Sequence, residues 1–233
     1  MMASFRELTL AGLLVSGMAS PVFAEPPMNV DDAGTLAKGG MKVEGALGRD
    51  HQERGGELVF GFAPVEHLEV GLAVARATDR TDDPSTRLRG AGISLKWVPV
   101  QNDTGWSLGA SLAYARTRVD ERATPAKFTE KDYALTALAT YRFASEQVMH
   151  LNLGRVRYQV PGERQTLGTW GAGFEQPLAD NLKLTAEIFG EEHARPDKAI
   201  GLRHEVAEGL KVSGAVGRGN GRSFGQVGFS WEF

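Results

Sequence analysis

Five histidines, two adjacent aspartate pairs and a complete absence of cysteine limit the chemistry this chain can carry. On a β-strand a base and a nucleophile share one face at a spacing of two, so a His-x-Ser pair would make a hydrolytic site. None of His51, His67, His150, His193 and His204 has serine two residues on. His150-Leu151-Asn152 keeps the spacing without the nucleophile, and a hydrogen-bonded wall residue is the simpler reading. Asp82, Asp83 and His193 could form an acidic hydrolytic rim only by converging from loops, where such residues are common. Asp31-Asp32 offers calcium two carboxylates without further oxygen ligands, and no zinc pattern exists without cysteine. No catalytic residue, metal or cofactor is expected, and a net charge of −3 argues against a nucleic-acid partner.

The charged residues must then be placed by the elements that carry them. Residues 1–24 read as a cleaved export signal: Arg6 in a short basic start, an apolar run over 8–18, and Val22-Phe23-Ala24 as the cleavage site. Residues 25–40 hold Pro26, Pro27 and three glycines without alternation, which suits an extended lead-in or a plug. From Met41 the chain alternates in twelve segments: 41–49, 55–63, 67–77, 87–98, 105–118, 130–143, 147–158, 164–176, 181–190, 197–206, 209–218 and 223–233. Trp106, Leu108, Ala110, Leu112 and Tyr114 repeat every two residues, and a helix would want three and four. Tight connections such as Pro64-Val65-Glu66 and Ala144-Ser145-Glu146 alternate with mostly longer, charged ones such as 79–86, 119–129, 159–163 and 219–221.

A soluble sandwich would alternate too, but gives no reason for Phe62, Trp97, Trp106, Phe143, Phe174, Trp231 and Phe233 to gather beside the short turns. The expected fold is all-β: a 12-stranded antiparallel transmembrane β-barrel over 41–233, with short periplasmic turns, longer extracellular loops and both termini periplasmic. A mean hydropathy of −0.25 fits, because a barrel hides its apolar half in alternation.

Two stretches resemble known families. Gln226, Gly228, Trp231 and Phe233 at the end of the chain are similar to the outer-membrane β-signal, which implies assembly by the bacterial barrel-insertion machinery. Residues 29–36, followed by Lys38-Gly39 and Lys42-Val43-Glu44, resemble outer-membrane proteins associated with the phenol meta-cleavage pathway. That resemblance implies an outer-membrane location and a transport-like role, and it supplies no binding residues.

Parity assigns the faces. Taking the inward residue nearest each short turn, Glu175, Lys183, Glu205, Lys211 and Glu232 lead round to Lys42 with alternating sign, Glu69 with Lys96 continues the pattern, and Arg142 with His150 or Asn152 interrupts it. Neighbouring strands lie about 4.8 Å apart, so opposite charges can meet and form a ring that narrows the exit. Chance distribution in a polar lumen is the alternative. Above the ring the inward positions are small (Gly71, Ala73, Gly90, Gly109, Gly171, Gly173) or apolar (Val59, Leu138, Val156, Leu167, Phe189, Phe224), inside a backbone cylinder roughly 24 Å across.

Outward parity at the loop ends gives Arg49, Arg54, Arg76, Arg87, Arg89, Arg116, Arg118, Lys131, Arg155, Arg157, Arg164, Lys198 and Arg218. This basic belt would face lipopolysaccharide phosphates, or else consist of solvated loop bases. The expected function is an outer-membrane channel or transporter for small solutes, aromatic or mildly hydrophobic compounds among them. A non-conducting structural or adhesive barrel is the alternative, and a lipid-modifying enzyme a distant third.

Overall fold

Period-two alternation of branched and aromatic residues with Gly, Ser and charged residues gives each strand one lipid-compatible and one polar face. In a computed structural model, which describes residues 24–233 apart from Asp82 and Pro125, this produces twelve strands. They are β1 (Met41–Arg49), β2 (Glu53–Val65), β3 (Leu68–Asp79), β4 (Thr86–Val100), β5 (Gly105–Asp120), β6 (Lys127–Arg142), β7 (Val148–Val160), β8 (Glu163–Ala179), β9 (Leu182–Glu191), β10 (Asp197–Ala207), β11 (Leu210–Gly219) and β12 (Arg222–Glu232). The export signal expected over 1–24 lies, Ala24 apart, outside the described residues, as does Asp82.

All neighbours pair antiparallel and β1 closes on β12, so the sheet has no free edge. Lys42 faces Glu232 and Val43 faces Trp231 across that seam, which is extended by reciprocal Met41–Phe233 backbone bonds of 2.9 Å. The outer face is apolar: Leu47, Leu72, Val74, Leu112, Leu153 and Val216 are each more than half exposed. Trp97, Trp106, Phe143, Trp231 and Phe233 are also exposed, near the short turns, and Trp106, Tyr141 and Phe143 stack edge to face at 5.0 and 4.7 Å. No described helix is long and apolar enough to cross a membrane.

Two details depart from the sequence reading. Pro64 and Pro99 fall inside strands rather than in turns, and register shifts sit beside them between Phe62 and Val65 and between Trp97 and Val100. Proline cannot donate to a ladder, and a bulge is where a strand tolerates it. The loops expected over 159–163 and 219–221 contract to Pro161-Gly162 and Asn220-Gly221. Gly162 (φ 84°), Asn220 (φ 48°) and Gly221 (φ 77°) take the left-handed conformation that two-residue hairpins need. His67 (φ 65°) and His193 (φ 67°) hold such turn positions too, so backbone geometry accounts for where they stand.

Candidate functional site: a collar inside the barrel

Residues 25–36 do not trail away from the barrel. They run along its inner wall at the short-turn end, meeting successive strands in order. The Leu36 amide donates to Glu69 on β3 (3.3 Å), and Thr35 bonds Gln101 in the β4–β5 turn (3.0 Å). The Ala33 amide donates to Thr140 on β6 (2.7 Å), and Asp31 exchanges two 2.8 Å bonds with Asn152 on β7. Val30 packs on Gly171 and Met28 on Gly173 of β8, Asn29 bonds Glu187 of β9, and Arg203 of β10 donates to the Pro26 and Glu25 carbonyls (both 2.9 Å). Glu25 ends the run on Lys211 of β11 (2.9 Å), with Pro26 against Gly228 of β12. The segment is a collar, and its acids complete the charge pattern of the wall.

The nine ring positions all face inward near this end, but their pairing differs from the one read off the sequence. Lys42 takes Glu69 (2.9 Å) and Glu44 (3.3 Å), and Lys96 turns to Asp31 (2.7 Å) and Asp32 (3.1 Å) instead of Glu69. Arg142 meets Asp32 (3.7 Å) and Ser107 (3.1 Å) rather than His150 or Asn152. Glu175 gathers Arg203 (2.8 Å), Lys183 (3.2 Å) and His150 (3.3 Å), while Lys211 joins Glu232 (3.0 Å) to Glu25. Glu205 makes no ion pair among the described residues. It sits exposed at a bulge and accepts from the Gly209 amide (3.1 Å).

Arg203, two residues back on the same face, enters the network where Glu205 was expected, but as a cation that pairs with Glu175 and Glu25, so the signs do not alternate there. The alternation of β10 places it on the inner face, one step further from the turn than Glu205. The acids of the collar could not be found that way, because a segment without periodicity gives no face. Gly171 and Gly173, small inward positions expected above the ring, stand beside the collar and accommodate Val30 and Met28.

One hydrogen-bond chain has the outline of a catalytic triad. Thr140 Oγ1 lies 3.0 Å from His150 Nδ1, and His150 Nε2 lies 3.3 Å from Glu175. Thr140 is fully buried and already accepts from the collar, so no reactant reaches its hydroxyl. The network fixes the wall and the histidine tautomer together. Among the described residues no group of side chains could hold a metal ion.

A cavity of about 380 Å³ remains inside the collar, lined by collar residues (Glu25, Asp32, Thr35) and ring residues (Lys42, Arg142, Lys183) alike. Beyond it, towards the other end, the inner face turns acidic: Glu57, Glu130, Asp132, Glu191 and Asp197. Arg222 answers them there, paired with Asp50 (2.7 Å) and Asp197 (3.6 Å).

Two expected results concern the collar's seating. A Cβ on Gly171 would stand 2.8 Å from Val30, so Gly171→Ile should lift this stretch off the wall and speed cleavage within 25–36 in limited proteolysis. Unchanged cleavage would refute that packing. Burial, with Asp32 beside it, pushes the Asp31 carboxyl up to about 6 despite Lys96. A released segment would titrate near the ordinary 3.8, so seating takes up a proton between the two values. The collar is therefore held more tightly as pH falls through 6 and less tightly above it. Ionic current should drop on going from pH 7.5 to pH 5, and Asp31→Asn should flatten the response; a wild-type current that rises in acid would reverse the sign.

The closed twelve-stranded cylinder with an aromatic girdle is the architecture of outer-membrane barrels, and solved structures agree. The KdgM porin in complex with disordered oligogalacturonate matches with a TM-score of 0.65 at 9% identity, over 82% of this chain and 99% of that one. The COG4313 outer membrane channel from Pseudomonas putida F1 matches with a TM-score of 0.63 at 10% identity, over 88% of this chain and all of that one (100%). The NanC porin gives 0.56 at 7% identity, over 82% and 98%. The chain belongs to the family of uncharacterised conserved proteins UCP029691, which matches residues 12–222. No curated protein matches it.

Proposed function

We propose that this protein is an outer-membrane channel for small solutes whose periplasmic exit is narrowed by residues 25–36 and the ion pairs that seat them. One observation carries the reading: the collar follows the wall instead of crossing the lumen, and a cavity of about 380 Å³ remains within it. A barrel built only as a scaffold would have no need of a polar, hydrated centre, since apolar filling stabilises a core at lower desolvation cost.

The lining favours neutral or cationic solutes. The acidic stretch from Glu57 to Asp197 would repel a polyanion such as the oligogalacturonate found with the KdgM porin. Inward Phe189 adds apolar surface that suits an aromatic or mildly hydrophobic solute, whereas Val59, Leu138, Val156 and Leu167 are buried in the packing of the wall. The likeness of the N-terminal motif to outer-membrane proteins of a phenol-degrading pathway supports the same class. Insertion by the barrel-assembly machinery, through the Gln226, Gly228, Trp231 and Phe233 signal, belongs to this proposal.

Planar-bilayer recording and liposome uptake decide it. Discrete conductance with uptake of phenols or aromatic amines ahead of aromatic acids is the expected result. Absence of conductance from both the full mature chain and a chain lacking 25–36 would establish the non-conducting alternative.

A further inference from the structure

On the outer face at the long-loop end, strand register does something costly. Arg76 on β3 stands directly opposite Arg89 on β4, which stands directly opposite Arg118 on β5. Like charges directly opposed across a strand pair destabilise a sheet. All three side chains are exposed, and none makes an ion pair with a carboxylate among the described residues. The nearest acid of that face, Asp120, pairs instead with Lys127 at 3.8 Å.

Arg87 and Arg116 flank the row, and Arg116 itself faces Lys131 on β6. Further along the same faces towards the short-turn end, Val74, Ile93 and Leu112 are about half exposed and belong to the apolar band. Three guanidinium groups on adjacent strands span roughly 10 Å at the level where hydrocarbon gives way to headgroups. The inner face at the same height is acidic, so the row's charge is separated from its natural counterions by the barrel wall.

We propose that Arg76, Arg89 and Arg118 form a docking site for the phosphate groups of an anionic glycolipid of the lipopolysaccharide type in the surrounding leaflet. A guanidinium presents a planar fork that grips phosphate oxygens two at a time, which a Lys row would not do. Three forks with flanking charges exceed what one phosphate can neutralise and suit a headgroup carrying two. Bound phosphate turns the cross-strand repulsion into bridged attraction, so the row fixes one lipid at one side of the barrel. The site is independent of solute passage.

The test compares the purified mature chain with R76Q/R89Q/R118Q and with a variant altered on the far side, R164Q/K198Q/R218Q, which removes the same charge. Each is titrated with lipopolysaccharide and with its enzymatically dephosphorylated form, and retained lipid is read by native mass spectrometry. Loss of about tenfold in affinity is expected for the row variant alone, and for the wild type with dephosphorylated lipid. Equal binding by row variant and wild type overturns the site. Equal loss in the far-side variant overturns it in favour of diffuse charge attraction, and undiminished binding of dephosphorylated lipid overturns phosphate recognition. Folding of each variant is checked by its heat-dependent gel mobility. Should the triple variant not fold, Arg89→Gln at the centre of the row carries the comparison, with about a threefold loss expected.

Discussion

Removing residues 25–36 should raise single-channel conductance severalfold and shift selectivity away from cations. The collar lines the lumen at the short-turn end, and its removal takes away Glu25, Asp31 and Asp32 while leaving Lys96, Arg142, Arg203 and Lys211 on the wall. The exit thereby loses three carboxylates and leaves Lys96 and Arg142 without an acidic partner, while Arg203 and Lys211 keep Glu175 and Glu232, so the reversal potential under a salt gradient should move toward that of an anion-preferring pore. The two readouts separate cases. Larger current with unchanged selectivity would mean that the collar only fills space, whereas unchanged current would mean that it does not line the conducting path.

Arg203→Met should cost more stability than any other single change at this end. Arg203 is 6% exposed and serves four partners: Glu175, the Glu25 carboxylate and the carbonyls of Glu25 and Pro26. Taking one partner out of a buried ionic network costs about 3–5 kcal/mol, because the charges left behind remain desolvated. Lys183 and His150 soften the loss for Glu175, but nothing replaces the grip on the two carbonyls. Urea unfolding in lipid vesicles, followed by tryptophan fluorescence, should show a lower midpoint with the slope preserved. Arg203→Lys should recover only part, since an ammonium cannot span partners that the guanidinium fork reaches together. A midpoint equal to wild type would show that Lys183 and Lys211 suffice.

The barrel was legible because its signal is periodic. Alternation such as Leu68, Val70, Leu72 and Val74 fixes both strand and face, and a one-residue slip would expose Glu69 to lipid, so register leaves little freedom. Faces followed for the same reason: Lys42, Lys96, Glu175 and Lys211 point inward because their neighbours cannot. Partner choice did not follow. Glu69 and Lys96 are directly opposed in register, yet each turns to a nearer charge, Lys42 for one and Asp31 for the other. Asp31 arrives from a stretch with no period, whose path is set by long-range contacts from β3 round to β12 that no local pattern encodes. Strand ends were misplaced at Pro64 and Pro99 for a related reason: proline reads as a breaker, and only the closed sheet shows where a bulge absorbs it.

A thin-walled tube in a bilayer is squeezed unevenly by its surroundings and tends to become oval. Because the chain from Glu25 to Leu36 touches the wall from β3 round to β12, a dent at any one strand must stretch or compress the same short tether at the others. That end of the tube is stiffened against ovalisation, and its bore should stay round when membrane tension or thickness changes.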